Sequence, residues 1–281
     1  MVEAARGAGV QLVVGHSHSF DAPIARAREL IASGELGAVR MITALNFTDF
    51  LYRPRRPEEL ATGKGGGVLF SQAAHQVDVV RLLAASRVKS VRAHTGNWDP
   101  RRSTEGAYGA LLAFEGGAFA SLAYSGYGRF DSDEFCGGVG ELGAKKDPGN
   151  YGAARRALAQ AADARAESAA KSARNYGGSS FVELPAARAH EHFGVVIVSC
   201  ERGDLRPLPS GVMVYGDDKP RLEPLAPPEI PRREVIDELC AAVFEHRAPL
   251  HGGEWGVATL EVCLAMLASA RSGQEVIIPA P

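Results

Sequence analysis

An excess of charge of one sign is missing from this chain, and so are clustered cysteines and long apolar runs. The 31 basic and 33 acidic residues leave a formal net charge of -2 over 281 residues, with no long block of either sign. Nothing electrostatic therefore points to nucleic acid or to an anionic membrane, and small neutral or mildly anionic molecules remain as partners. Cys136, Cys200, Cys240 and Cys263 are widely spaced and form no CxxC pair, which excludes a disulfide framework or a clustered thiolate metal site and fits a reducing cytoplasm. The purely apolar runs, such as residues 195–198, are far shorter than the roughly 20 residues that span a bilayer. The N-terminus, MVEAARGAGVQLVVG, carries an acidic residue early and lacks a basic segment followed by an apolar one, so it does not read as a signal peptide. What is present is a hydrophobic content of 46%, ordinary for a globule with a real core.

Periodicity predicts an α+β chain. Residues 2–6 read as the tail of a helix stopped by Gly7, and residues 10–14 as a buried parallel strand. Asp21 is a candidate N-cap for a helix over 22–33, ended by Gly34. Residues 39–47 alternate as a strand, and a helix is expected over 71–84. Strands follow over 88–94, 107–114 and 119–127, with a tight turn at 115–117 joining the last two. The Ala- and Arg-rich stretch 145–174 reads as an exposed helical excursion. Strands are expected again at 195–199 and 212–215, then a proline-rich connector, helices over 232–247 and 253–272, and a closing strand at 276–278. This order implies a mostly antiparallel sheet covered by helices on one face. A strand at 10–14 has no partner strands upstream, so the expectation is that residues 1–20 are a remnant of an α/β domain and residues 21–281 a second domain.

The segment GGGVLFSQAAHQVDVVRLL, residues 65–83, carries the clearest chemistry. Ser71, His75 and Asp78 are spaced four and three residues apart, which places them on one helix face. His75 is the natural acid/base group, because imidazole titrates near neutral pH and oxidation of a hydroxyl needs a proton acceptor while hydride leaves carbon. Asp78 orients it or a polar neighbour. The plainer reading is a histidine held in the core by a hydrogen bond.

This segment resembles the GGGxLxDxGxHxxDxxxxL signature of the Gfo/Idh/MocA oxidoreductases, with Gly65, Gly66, Gly67, Leu69, His75, Asp78 and Leu83 in place, Ser71 replacing the signature Asp and Ala73 its Gly. The stretch VVGHSHSFDAPIARARELIASGELGAVRMI resembles the family's last cofactor-domain strand and linking helix, with His18 and Ser19 in place of paired arginines. ELCAAVFEHRAPLHGGEWGVATLEVCLAMLASARSGQEVIIP resembles its C-terminal helices. The resemblance implies NAD or NADP as cofactor, His75 as the catalytic histidine, and His18, Ser71, Gln72 and Asp78 around the substrate. It also implies an open sheet face that packs against a second subunit, and a Rossmann domain, with a GxGxxG loop and an EKP lysine, preceding the substrate domain. Gly138, Gly140 and Gly143 spell GxGxxG without a strand leading into them or a helix following, and are read as a decoy. Asp218, Lys219 and Pro220 spell DKP, far downstream of the expected position, and are read as an exposed turn. The pyrophosphate loop and lysine are accordingly expected to be absent, and tight cofactor binding with them.

Arg53, Arg55 and Arg56, separated by prolines in LYRPRRPEEL, offer guanidinium forks suited to carboxylates. The alternative is a solvated loop balanced by Glu58 and Glu59. Together with HSHSFD and SGYGRFDSDEFCGGVGE, this loop resembles the phthalate 4,5-dihydrodiol dehydrogenase branch. The resemblance implies oxidation of a cyclic diol or sugar-like hydroxyl, in that branch the cis-diol dicarboxylate 4,5-dihydro-4,5-dihydroxyphthalate, with rearomatisation to a catechol as added driving force. Two other classes remain open. One is a catalytically inactive remnant that serves as an oligomerising or binding domain. The other is a metal hydrolase built on His16, His18 and His75 with Asp78, although no HExxH segment accompanies the HxH pair and His190 and His192 form another such pair in an ordinary polar stretch.

Overall fold

The computed structural model describes residues 1–15, 17–182 and 188–280. The elements that build the frame are α1 (Val2–Ala8), α2 (Ala22–Ala32), β1 (Val39–Phe47), α3 (Ala74–Ala84), β2 (Val88–Gly96), β3 (Ala107–Phe114) and β4 (Phe119–Ser125). They continue with α4 (Ala153–Ala159), α5 (Ala164–Arg174), β5 (Val195–Cys200), β6 (Gly203–Leu208), β7 (Gly211–Tyr215) and β8 (Pro220–Pro224). The chain closes with α6 (Arg233–Phe244), α7 (Gly253–Ser272) and β9 (Val276–Ile277).

Among the described residues the strands form one nine-stranded sheet in the order β8-β7-β6-β5-β1-β4-β3-β2-β9. β1 and β4 pair in parallel, and the other neighbours are antiparallel. The fold is therefore α+β with a mostly antiparallel sheet, as the alternating pattern requires.

Side-chain alternation separates the faces. Ile42, Ala44, Ala110, Leu112, Ala120, Leu122, Val196 and Val198 are buried, whereas Leu111, Phe119 and Ile197 stand exposed on β3, β4 and β5. The period-2 geometry of a strand places these two sets on opposite sides of the sheet. α3 is buried at nearly every position from Ala74 to Leu83, because it lies between the sheet and α7 and has no solvent face to keep polar. The turn at 115–117 forms as expected, with Gly117 at φ 85° and its N–H donating to the Phe114 carbonyl at 3.1 Å.

Four local expectations are corrected. Residues 10–14 form no strand: they lie alongside neither sheet edge, and of their backbone donors Val14 bonds the His251 carbonyl at 2.8 Å. The segment is held by packing instead, since a Cβ on Gly256 of α7 would come within 2.9 Å of the Val14 side chain and one on Gly253 within 2.7 Å of Val2. The first helix runs past Gly7 and stops at Gly9, which takes the left-handed conformation at φ 65°. Asp21 sits at the N-cap of α2 without making the cap bond, because its carboxylate is engaged elsewhere. β6 and β8 were hidden by prolines. β6 pairs with β5 only over residues 203–205, so Pro207 interrupts no bond on that side, and Pro220 and Pro224 lie on an edge strand where a missing N–H costs little.

Candidate active site

The glycine run ahead of α3 permits a tight convergence of loops. A Cβ on Gly67, whose φ is +86°, would lie 2.0 Å from the Glu105 carboxylate, and one on Gly66 would lie 2.4 Å from the Glu58 carbonyl. Beyond it the chain makes a wide π-turn, Leu69–Ala73, that runs directly into α3. Single-turn π segments re-aim side chains and recur at functional sites. Here the turn carries Ser71 and Gln72 and sets the start of the helix that bears His75.

His75 is half-buried and meets two rings. Its imidazole is edge-on to His18 at 5.1 Å between centroids and tilted against Phe193 at 5.0 Å. Phe193 also contacts His18 at 4.9 Å. His18 is buried, and its Nδ1 lies 2.9 Å from the Asp21 carboxylate, itself buried. A carboxylate accepts, so Nδ1 carries the hydrogen and the tautomer of His18 is assigned by Asp21. The two imidazoles and Phe193 thus form a small aromatic cluster with one ring nitrogen already committed. Such an arrangement can hold an acid/base imidazole in a defined orientation next to a polar substrate.

Asp78 is fully buried and looks away from substrate chemistry. Its oxygens accept from Ser19 Oγ, from Trp255 Nε1 and from Thr259 Oγ1 at 2.9 Å, and the Arg81 guanidinium stands 3.9 Å off. Arg81 is stacked over Trp255 at 4.1 Å, and burial lowers its pKa against the opposing pull of Asp78. Asp78 consequently ties α3, α7 and the 3₁₀ turn Ser17–Ser19 together. Since that turn carries His18, Asp78 positions His18 through Ser19. Ser71 Oγ donates to the Gly67 carbonyl at 2.6 Å, which commits it to the turn. Gln72 is buried, donates to its neighbour's carbonyl at 2.7 Å and accepts from the Tyr124 hydroxyl at 3.0 Å.

Tyr124 links the site to the sheet. It stacks on Phe193 at 6.3 Å and on Tyr108 at 5.5 Å, and its hydroxyl lies 3.2 Å from Thr48 Oγ1. Burial, reinforced by Glu141, raises the phenol's pKa far above its ordinary value, so Tyr124 stays a neutral donor. Tyr108 donates to Gln76 at 2.7 Å, and burial raises its phenol in the same way.

The three loop arginines do not act as a unit. Arg53 Nε donates to Asp49 at 3.0 Å, and its NH1 lies 3.8 Å from Glu141. Burial pulls its pKa down, but Glu141 and Asp49 together leave it raised. Arg55 folds back over Phe50 with Cζ 3.5 Å from the ring centroid and donates to the Phe50 carbonyl at 3.0 Å. Burial lowers its pKa to about 10, which still leaves it a cation at neutral pH. Its role is chiefly to shape the loop. The Arg56 side chain makes no ion pair among the described residues.

The excursion expected to be merely exposed is anchored. Glu167 of α5 is buried and accepts from Arg102 NH1 at 2.7 and 2.9 Å and from the backbone N–H of Arg55 at 2.7 Å, while Lys171 pairs with Glu59. Glu167→Ala leaves Arg102 buried without its carboxylate, at a cost of about 3 kcal/mol. The expected result is release of α5, read as faster limited proteolysis between residues 150 and 182 with the sheet still folded. Cleavage at the wild-type rate would show that the pair does not anchor the helix.

A cleft of about 1000 Å³ opens beside this excursion, with Arg53, Arg129, Phe130, Tyr151, Arg155 and Arg174 on its walls. Arg53 pairs with Glu141 at this wall, and the charges of both are felt at Tyr124. Gly138 also lines it. Gly138, Gly140 and Gly143 follow a 3₁₀ turn, Ser132–Cys136, and surround the isolated bridge Val139–Lys145. They do not form the strand, loop and helix that cradle a pyrophosphate. His16 lies outside the described residues, and no group of three potential metal ligands occurs among the described ones. No helix among the described residues is long and apolar enough to cross a membrane.

Phe193, Arg155 and Arg174 were not singled out from sequence, and Asp21 was read there as a helix cap and not as a partner of His18. Only Asp21 carried a readable signal, as the acidic residue one 3₁₀ turn after His18 in HSFD.

Residues 24–143 match the sequence model described as the GFO/IDH/MocA C-terminal domain. The chain is 48% identical over 269 residues to 1-carboxy-3-chloro-3,4-dihydroxycyclohexa-1,5-diene dehydrogenase of Comamonas testosteroni, covering 95% of this chain and 68% of that protein. It superposes with a TM-score of 0.89 on a solved Bordetella bronchiseptica RB50 protein described as a dehydrogenase, at 43% identity and with 99% of this chain and 72% of the other covered. The same fold recurs at 20% identity and a TM-score of 0.59 in the WlbA dehydrogenase from Bordetella pertussis, solved with NADH and UDP-GlcNAcA, over 100% of this chain and 67% of that one. The chain belongs to the Gfo/Idh/MocA family of oxidoreductases.

Proposed function

We propose that the chain carries the substrate-binding and oligomerisation part of an NAD- or NADP-dependent dehydrogenase that oxidises a hydroxyl of a carboxylated cyclic dihydrodiol. The observation that carries this reading is the half-buried His75, held between His18 and Phe193, in a chain 48% identical to a dehydrogenase named for such a diol. His75 accepts the hydroxyl proton as hydride leaves the same carbon, and the resulting ketone tautomerises toward the aromatic catechol. His18, oriented by Asp21, lines the ring of the substrate. Tyr124 and Gln72 form its polar floor, and of the arginine loop Arg53 faces its carboxylate. The hydride acceptor class carried over from the family is NAD or NADP. The exposed sheet face bearing Leu111, Phe119 and Ile197 is the proposed contact with a second subunit.

The test is direct. The purified chain is incubated with a carboxylated cyclohexadiene diol and NAD or NADP, and both reduced nicotinamide and diol binding are followed. Diol-dependent reduction supports the full reading. Binding of the diol without reduction supports the second reading, a binding domain without turnover, which the lack of a pyrophosphate cradle around Gly138 favours. A chain that neither binds nor oxidises the diol refutes both.

A further inference from the structure

The cations lining the large cleft differ in what already neutralises them. Lys146 lies 2.5 Å from both Asp131 and Asp133, Arg53 is held by Asp49 and Glu141, and the Lys145 ammonium donates to the Gly137 carbonyl. Arg129, Arg155 and Arg174 line the same walls, and none of them pairs with a carboxylate among the described residues. Of the acids there, Asp147 accepts from the Gly149 N–H at 2.8 Å, and Glu134, also on the wall, pairs with no basic side chain among the described residues.

Arg155, on α4, is the best ordered of the three. One terminal nitrogen donates to the carbonyls of Tyr127 and Gly128 at 2.8 and 2.7 Å, and its Cζ stacks over Tyr52 at 4.2 Å. The guanidinium is therefore fixed in place while its Nε and other terminal nitrogen make no bond among the described residues. A planar fork pre-organised in this way matches a carboxylate, and little side-chain entropy remains to be lost on binding. Arg174 ends α5, which Glu167 and Lys171 dock against the arginine loop, and its charge is felt at Arg55. Phe130 and Tyr151, respectively 41% and 65% exposed, give the same cleft two aromatic faces for a flat ring. The helices that supply Arg155 and Arg174 lie beyond residues 24–143, the segment that matches the family's sequence model.

We propose that the α4–α5 excursion is the carboxylate-recognition element of the substrate site, in which Arg155 and Arg174, beside Arg53, bind the ring carboxylate that Arg55 and Arg56 do not. This rests on the reading of the substrate as a carboxylated cyclic diol. Arg155 and Arg174 are specificity determinants and take no part in the proton transfer.

The probes are 3,4-dihydroxybenzoate and catechol, which share the diol ring and differ in the carboxylate, titrated calorimetrically into the purified chain. The wild-type chain is expected to prefer the carboxylated ring by about 10-fold or more, the scale of a charge-assisted hydrogen-bonded pair. Arg155→Gln and Arg174→Gln each reduce affinity for 3,4-dihydroxybenzoate by about 10-fold and leave catechol unchanged, while Arg155→Lys retains part of the preference. Arg174 is exposed and unpaired, so Arg174→Gln keeps the fold and decides the question even where Arg155→Gln lowers stability. An unchanged preference in Arg174→Gln and in the double variant overturns the assignment and leaves the carboxylated substrate standing. A wild-type chain with no preference between the probes removes both.

Discussion

Replacing His75 by alanine is expected to lower turnover of the diol by about 10²- to 10⁴-fold, the range over which a positioned general base acts, with binding of the ring changed little. The expectation follows from where the imidazole stands. It is half-exposed at the beginning of α3, presented by a π-turn and flanked by His18 and Phe193, so it touches the site without supporting the core beneath it. The measurement is kcat and KM for diol-dependent cofactor reduction, beside calorimetric binding of 3,4-dihydroxybenzoate. A selective loss in kcat marks the proton acceptor. Full turnover in His75→Ala would sink the assignment, and equal losses in binding and turnover would make the residue a wall of the pocket.

Asp78→Ala is the second large effect, and it falls on stability. The carboxylate is fully buried, accepts from Ser19, Trp255 and Thr259, and faces the largely buried Arg81. Its removal strands three donors and one cation in the interior, a change that costs about 3–5 kcal/mol. The urea midpoint should fall accordingly with little change in slope. Asp78→Asn keeps the shape and two acceptor sites and should recover part of the loss. Because Ser19 sits next to His18, the destabilised protein should also show a displaced His18 signal by NMR. An unfolding free energy within about 0.5 kcal/mol of wild type, the range of an ordinary surface change, would show that the Asp78 cluster does not hold α3 and α7 together.

These two residues, three positions apart on one helix, mark the boundary of what could be read from the sequence. The spacing of Ser71, His75 and Asp78 placed all three on one face, and the resemblance gave them a shared purpose. The helix is there, and the roles diverge, since α3 is enclosed on almost every side. A helix that packs against both a sheet and another helix has no single functional face. Ser71 returns its hydroxyl to the backbone, Asp78 turns to α7, and only His75 reaches the rings. The arginine loop divides for a related reason. Arg55 has an aromatic ring and a carbonyl within its own loop, and a contact available locally takes the side chain before a substrate can.

The sequence by itself determined the sheet and its covering helices, because period-2 alternation in residues 39–47, 107–114 and 119–125 and the apolar content of α3 and α7 leave few other ways to bury those side chains. It also marked the family and the one histidine worth testing first. Only the tertiary structure decided the partners. Asp21 appears as a helix cap until the 3₁₀ turn delivers His18 to it. Phe193 comes from a distant strand approach, and Arg155 and Arg174 come from a stretch with almost no periodicity. Each of those contacts depends on chain closure between segments far apart in sequence, where no local spacing rule applies, and the three-dimensional register of sheet, turn and excursion is what brings them together.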